Sequence, residues 1–324
     1  MQYRRLGSSG LHVSALGLGT NSFGKRAGYE ASKRILDLAI DRGVNFIDTA
    51  NIYAGTESET FIGQALKEKR RSVVLATKAG LPRGKGLNER GSSRYHLMTE
   101  LEDSLKRLKT DYVDLYQIHT FDPGTPLEET LRALEDMVRS GKVRYIGASN
   151  YYAWELMKAV GISDKLGLGR FVSTQTSYSL ADRTPENELV PMCLDQGVGI
   201  IPYFPLAGGI LTGKYGASAD VPEGSRAHTD PGFRRFLDER TIRLGEQVEA
   251  IAGRVGCSAG VLALSWLMRQ PAVSTVIVGA TRAEQLEENL ASVLLELPQQ
   301  ALEELDAASA PFRRGEPFAI YRLT

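Results

Sequence analysis

Val44-Asn-Phe-Ile-Asp-Thr-Ala-Asn-Ile-Tyr53 begins as a short apolar run, ends that run in a carboxylate, Asp48, and continues through a loop to a phenol, Tyr53. Residues 29–42 before it have helical spacing (Ile35, Leu38, Ala39) and stop at Gly43, a C-terminal signal. Residues 58–67 after it are helical again. Working outward, this unit repeats. Strands are predicted over 15–19, 44–47, 73–77, 112–118, 143–148, 171–176, 198–204 and 274–278. Helices are predicted over 29–42, 58–67, 96–108, 126–140, 153–160, 186–196, 239–255, 258–269 and 283–292. Residues 298–308 close the chain as a helical turn or two. Pro126 at a helix start and Gly141 just past its end show the expected asymmetry. Residues 207–235 read as a long loop rich in Gly, Pro and charge.

Strands alternating with helices argue for parallel pairing through βαβ crossovers. Eight such units argue for an α/β fold, a closed (β/α)8 TIM barrel, which commonly needs roughly 250 residues. Residues 2–6 and 11–14 flank Gly7-Ser-Ser-Gly10 as a β-hairpin, expected to cap the bottom of the barrel. The C-terminal helices are extra to the barrel. No Pro/Ser-rich linker divides the chain, so residues 1–324 read as a single domain. Gly17-Leu-Gly19-Thr-Asn-Ser22 starts like a dinucleotide fingerprint, but it lacks the third glycine and an acidic residue closing a following strand. A tight strand-to-loop turn explains it better.

Lys and Arg together number 39, as do Asp and Glu, and no basic block appears, which argues against nucleic acid or an anionic membrane as partner. The N-terminus lacks a secretion signal, and the apolar stretches are too short to span a bilayer. Cys193 and Cys257 stand far apart, which fits a reduced cytoplasmic compartment rather than a disulfide framework. The histidines His12, His96, His119 and His228 have no ligand spacing, so a metal centre is not expected.

Barrel enzymes build their sites at the C-terminal ends of the strands. There the sequence puts Asp48 and Tyr53 after the second strand, Lys78 at the end of the third and His119 at the end of the fourth. Ser149 and Asn150 follow the fifth, and Gln175 lies on the sixth. Each alone has an ordinary explanation: a turn residue, a packed phenol, a solvated strand end, a core histidine. An acid, a base, a phenol and an imidazole on three consecutive strand ends are not four accidents. An ammonium beside a phenol is expected to lower its pKa from about 10. A carboxylate would keep that ammonium charged, and an imidazole would orient a substrate oxygen. The set suits proton donation to an oxygen that gains negative charge, as a carbonyl oxygen does when its carbon accepts hydride.

Taken with Ala76-Thr-Lys78, Asp111 to His119, Gly141 to Asn150, Pro205-Leu-Ala-Gly-Gly-Ile-Leu-Thr-Gly-Lys214 and Gly279 to Asn289, the chain resembles the aldo-keto reductases, most of all the bacterial and potassium-channel β-subunit branch. The resemblance implies NADP(H) bound across the barrel mouth, with NAD(H) as a weaker alternative. It implies reduction of a small-molecule aldehyde or ketone to an alcohol, with Tyr53 as proton donor, Lys78 and Asp48 as its tuning pair, and His119 orienting the substrate. Ser149, Asn150 and Gln175 would hold the nicotinamide carboxamide, and Tyr203 would stack on its ring. The cofactor path further implies Thr20, Asn21, Phe204, Pro205, Leu206, Ala207, Gly208, Lys214 and Arg226. At the adenine-ribose end it implies Gly279, Ala280, Thr281, Arg282, Gln285, Glu288 and Asn289. Gly279 and Gln285 stand where some branches carry Lys and Arg. Phe204 stands where related members often have a small polar residue. The competing function is an NADP(H)-binding regulatory subunit like the channel β subunits. A Schiff-base aldolase using Lys78 would leave Tyr203 and Gln175 without a job. Arg83, Lys85, Arg90 and Arg94 share one loop, either to greet an anionic substrate or as solvated charge. The oligomeric state is open.

Overall fold

The computed structural model describes residues 1–215, 223 and 226–323. Its elements run in chain order: β1 (Tyr3–Arg5), β2 (His12–Ser14), β3 (Leu16–Gly19), α1 (Tyr29–Asp41), β4 (Phe46–Asp48), α2 (Glu57–Leu66), β5 (Val74–Ala79), α3 (Arg94–Leu108), β6 (Val113–Ile118) and α4 (Leu127–Arg139). Then follow β7 (Val143–Ser149), α5 (Ala153–Leu166), β8 (Ser173–Ser177), α6 (Leu189–Gln196), β9 (Gly199–Tyr203), α7 (Arg226–Thr229), α8 (Glu239–Val255), α9 (Ala259–Met268), β10 (Val276–Gly279), α10 (Ala283–Leu290) and α11 (Gln299–Ser309). The eight strands β3 to β10 form one parallel sheet in which β10 pairs with β3. On the other side, Ile200 of β9 exchanges hydrogen bonds with Ala272 and Ser274 just before β10, so the ring closes. This is the (β/α)8 barrel.

Side-chain alternation along the strands decides what the barrel contains. One set of positions, including Ile47, Leu75, Tyr116, Ile118 and Ile200, packs in the large core shared with the helices. The other set forms a separate cluster inside the barrel: Phe46, Val74, Ala76, Leu115, Ile201 and Ile277. Two residues further along the same inward faces come Asp48 after Phe46, Lys78 after Ala76 and Gln117 after Leu115. The barrel interior is therefore apolar below and polar above. Gly17 belongs to the lower layer. A Cβ there would lie 2.9 Å from the Phe46 ring and 3.0 Å from Thr275 Oγ1, so its glycine serves packing and not a phosphate.

The hairpin closes the apolar end. β1 and β2 pair antiparallel, Tyr3 against Ser14, and Leu6 and Val13 pack into the barrel cluster. Ser8 donates to the Gly197 carbonyl at 2.7 Å, and the Gly7 amide donates to Ser274 Oγ at 3.1 Å. These contacts sit at the N-terminal ends of the last strands, as expected for a bottom cap.

Two sequence expectations change. Residues 207–235 are not simply a loop: 3-10 turns Ala207–Thr212 and Pro231–Phe236 flank α7 among the described residues. The chain end is also more helical than expected, because α11 spans 11 residues, about three turns. No single described helix is long and apolar enough to cross a membrane. The α8 and α9 pair meets that length only across a 92° bend, and every residue of α9 is buried in the protein.

The fold yields a direct test at the cap. Gly7 has φ +58°, and a Cβ there would lie 2.5 Å from the carbonyls of both Gly197 and Val172; Gly10 has open space. Gly7→Ala is expected to lower unfolding free energy by about 2 kcal/mol or more, whereas Gly10→Ala stays within about 0.5 kcal/mol. Urea denaturation curves of the two variants check this.

Candidate active site

At the C-terminal end of the barrel the inward polar layer forms one network. Lys78 is 0% exposed, and Asp48 is 1% exposed. Lys78 Nζ donates to Asp48 Oδ2 at 2.6 Å, to the Thr49 carbonyl at 2.8 Å and to the Tyr53 hydroxyl at 3.3 Å. An ammonium has three donors, and each has an acceptor here. The other Asp48 oxygen accepts from Gln175 Nε2 at 2.8 Å and from Gln117 Nε2 at 3.1 Å. Three strands besides β4 thus converge on one carboxylate. Thr20 supports it from behind: its amide and hydroxyl both donate to the Asp48 carbonyl. Losing one partner from a buried pair of this kind costs about 3–5 kcal/mol.

Tyr53 opens a short 3-10 turn, Tyr53–Thr56. Ala54 (φ 51°) and Thr56 (φ 98°) sit in the left-handed region, which costs on the order of 1–3 kcal/mol per residue. That turn swings the phenol back over Lys78, whose Nζ lies 5.0 Å from the ring centroid. His119 follows β6, buried, with its ring 5.9 Å from that of Tyr53 and edge-on to it. Its Nδ1 is buried without a hydrogen-bond partner.

Burial sets the protonation states. It pushes the Tyr53 phenol well above its ordinary range, and the Asp48 charge adds to the rise. The sequence expectation was the reverse, a phenol lowered by Lys78. The ammonium is already neutralised by Asp48, so desolvation dominates. Burial, and then the Lys78 charge, hold His119 well below its ordinary value, which keeps the ring neutral. Burial lowers Lys78, while Asp48 works against that fall.

A cavity of about 560 Å³ opens from this network and runs across the barrel mouth to α10. Asp48, Tyr53 and His119 line one end with Ser149, Asn150, Gln175 and Tyr203. Thr20, Asn21, Phe204, Pro205, Leu206, Gly208 and Lys214 line the middle, and Gly279, Ala280, Thr281, Arg282, Gln285, Glu288 and Asn289 the far end. Two expected residues are not on the wall. Lys78 lies beneath Tyr53, fully buried, which rules out a solvated strand end. Ala207 is also fully buried and turns its chain inward at φ 47°. The Arg226 side chain lies outside the described residues.

Several polar groups are already engaged. Asn150 Nδ2 donates to the His119 carbonyl at 2.8 Å, and the Tyr203 hydroxyl lies 2.7 Å from Asn150 Oδ1 and 2.8 Å from the Ala319 carbonyl. Gln285 accepts from the Thr281 amide at 2.9 Å and so caps the entry to α10. Burial, and then the nearby Arg26 charge, lower the Lys214 pKa, which places two cations on the middle of the cavity. The 80–94 basic residues are elsewhere. Arg83 faces Glu100, Arg94 pairs with Asp136, and none of Arg83, Lys85, Arg90 or Arg94 lines the cavity.

Sequence reading missed Gln117, Ile52 and Tyr321. Gln117 had a signal, since it lies two positions before His119 on the same strand face. Tyr321 had none. It lies beyond the last helix, where the chain returns over the mouth, its carbonyl accepting from Thr120 Oγ1 at 2.6 Å and its ring 6.2 Å from that of Tyr203.

Residues 15–310 match the family model described as "Aldo/keto reductase family". The chain belongs to the aldo/keto reductase family. Among curated relatives, a Bacillus subtilis (strain 168) protein named "Uncharacterized oxidoreductase YrpG" is 38% identical, covering 94% of this chain and 95% of that protein. Proteins named "Probable voltage-gated potassium channel subunit beta" are 37% identical in Arabidopsis thaliana, covering 90% of this chain and 91% of the relative, and 38% identical in Oryza sativa subsp. japonica, covering 90% of each. Both relationships agree with the resemblance drawn from the motifs.

The site makes a prediction about alkaline titration. The raised phenol of Tyr53 is matched by Tyr116, Tyr151, Tyr178 and Tyr203, all lifted chiefly by burial. In the unfolded chain these ionise near pH 10, so their effect on stability is absent below about pH 10 and stability falls as pH rises through it. Tyr53→Phe is expected to leave the native tyrosinate absorbance curve unchanged below about pH 10. A tyrosinate titrating in that range and missing from the variant would contradict the burial argument.

Proposed function

We propose that this chain is an NADP(H)-dependent oxidoreductase that reduces the carbonyl of an aldehyde or ketone to an alcohol, with Tyr53 as the proton donor. One observation carries the reading. Lys78 Nζ donates to the Tyr53 oxygen, so the phenol accepts there and keeps its own proton for a partner in the cavity. With its pKa raised, Tyr53 holds that proton across the neutral range. A developing alkoxide is a far stronger base than a carbonyl oxygen and takes the proton only as charge builds on it. The Lys78 ammonium behind the phenol then stabilises the negative charge that moves toward Tyr53. Neutral His119, beside Tyr53, orients the substrate oxygen.

The cavity fits a nicotinamide dinucleotide in shape and donor set. It is long, ends at Tyr53, carries cations at its middle and reaches the N-terminal end of α10. Bound there, the cofactor would supply the hydride. Tyr203 would lie against its ring, and Ser149, Asn150 and Gln175 would hold its carboxamide. Lys214 and Arg26 would face the pyrophosphate. Arg282, at the start of α10, would meet a 2′-phosphate, with NAD(H) a weaker alternative. Around Tyr53 the walls include Ile52, Leu81 and Tyr321, and the basic loop points elsewhere. These walls favour an uncharged carbonyl compound over a sugar phosphate.

The names of the plant relatives motivate a second reading, an NADP(H)-binding regulatory subunit. Turnover separates the two. Steady-state assays of small aldehydes and ketones with NADPH and NADH in parallel are expected to show reduction, faster at low cofactor with NADPH. Tyr53→Phe is expected to lower kcat by about 100-fold or more. Unchanged turnover in that variant removes Tyr53 from the mechanism, and tight cofactor binding without turnover on any carbonyl favours the regulatory reading.

A further inference from the structure

The turn that presents Tyr53 is strained, with Ala54, Gly55 and Thr56 all at positive φ. Strain of this kind persists only where the surroundings over-determine the chain. On the N-terminal side of the turn the hold is Asn51, fully buried. Its amide N–H donates to the Lys78 carbonyl at 3.0 Å. Its side-chain Nδ2 donates to Glu100 Oε2 at 2.6 Å, while its Oδ1 is buried without a hydrogen-bond partner. Glu100 therefore fixes the side chain of Asn51.

Glu100 is itself buried on α3 and has a second task. The same Oε2 lies 3.3 Å from Arg83 Nε, an ion pair without hydrogen-bond alignment. Arg83 belongs to the segment after β5, which is closed on itself by Arg83 to Glu89 and Gly91 to Gly80 backbone bonds of 2.9 Å. That segment delivers Leu81 to the cavity wall. Neither Asn51 nor Glu100 lines the cavity.

We propose that Glu100 is a positioning residue for the reduction: through one carboxylate oxygen it ties the turn that presents Tyr53 to the loop that presents Leu81. The two sides of the catalytic end are then set together rather than independently. The inference rests on the reading of Tyr53 as proton donor, so its test needs a readout that does not depend on turnover.

Two variants decide it: Asn51→Asp, and Asn51→Asp combined with Glu100→Gln. Asn51→Asp sets two carboxylates against each other. It is expected to speed amide exchange in both 50–53 and 81–91, and to lower kcat by about 10- to 100-fold at temperatures well below melting. The combined variant restores one donor and one acceptor in reversed order. It is expected to return exchange in both segments, and kcat to within about threefold of the parent. Faster exchange in one segment alone, or a combined variant as impaired as Asn51→Asp, overturns the proposal. If the parent protein turns over no carbonyl, the exchange result still decides this inference, and the missing turnover counts against the reductase reading.

Discussion

The structure turns on one buried ion pair. Lys78 and Asp48 sit where barrel strands begin to carry polar side chains, out of reach of water. Desolvating two charges is costly, and the cost is recovered only if every donor and acceptor is satisfied. Here the ammonium meets Asp48, Thr49 and Tyr53, and the carboxylate meets Lys78, Gln117 and Gln175. That requirement recruits β5, β6 and β8 as well as β4, and it places the phenol. The position of the phenol is thus a by-product of satisfying a buried charge: the third donor of the ammonium goes to Tyr53.

The same constraint explains why the phenol is a poor acid in the resting protein. Because Asp48 neutralises Lys78, little net positive charge is left to draw the proton from Tyr53, and burial raises its pKa instead. In the proposed reduction, a donor that releases its proton only when an alkoxide forms beside it would avoid leaking charge into an apolar site. Neutral His119 fits this economy, since a second cation beside Lys78 would be repelled.

Much of this was legible in the residues, because the two periodicities that decide it are local. The alternation of short apolar runs with helical segments gave eight units and hence the barrel. The position of Asp48, Lys78 and His119 after those runs put them at one mouth. Gln117 was equally legible by strand period. Other features depend on long-range contacts that leave no local pattern. Tyr321 reaches the site only because the chain folds back past α11. That Lys78 is fully buried shows only once the barrel closes around it. The rise of the Tyr53 pKa follows from depth, which no spacing reports. Ala207 matched the motif but faces the core.

The most direct measurement follows the reacting hydrogen. NADPH with both C4 hydrogens of its nicotinamide replaced by deuterium is incubated with a small aldehyde and the protein, and the alcohol is analysed by NMR. One deuterium is expected on the carbinol carbon, with the hydroxyl proton drawn from the protein and solvent. An alcohol whose carbinol carbon carries no label, or takes it from solvent, would contradict the reduction assigned to this site.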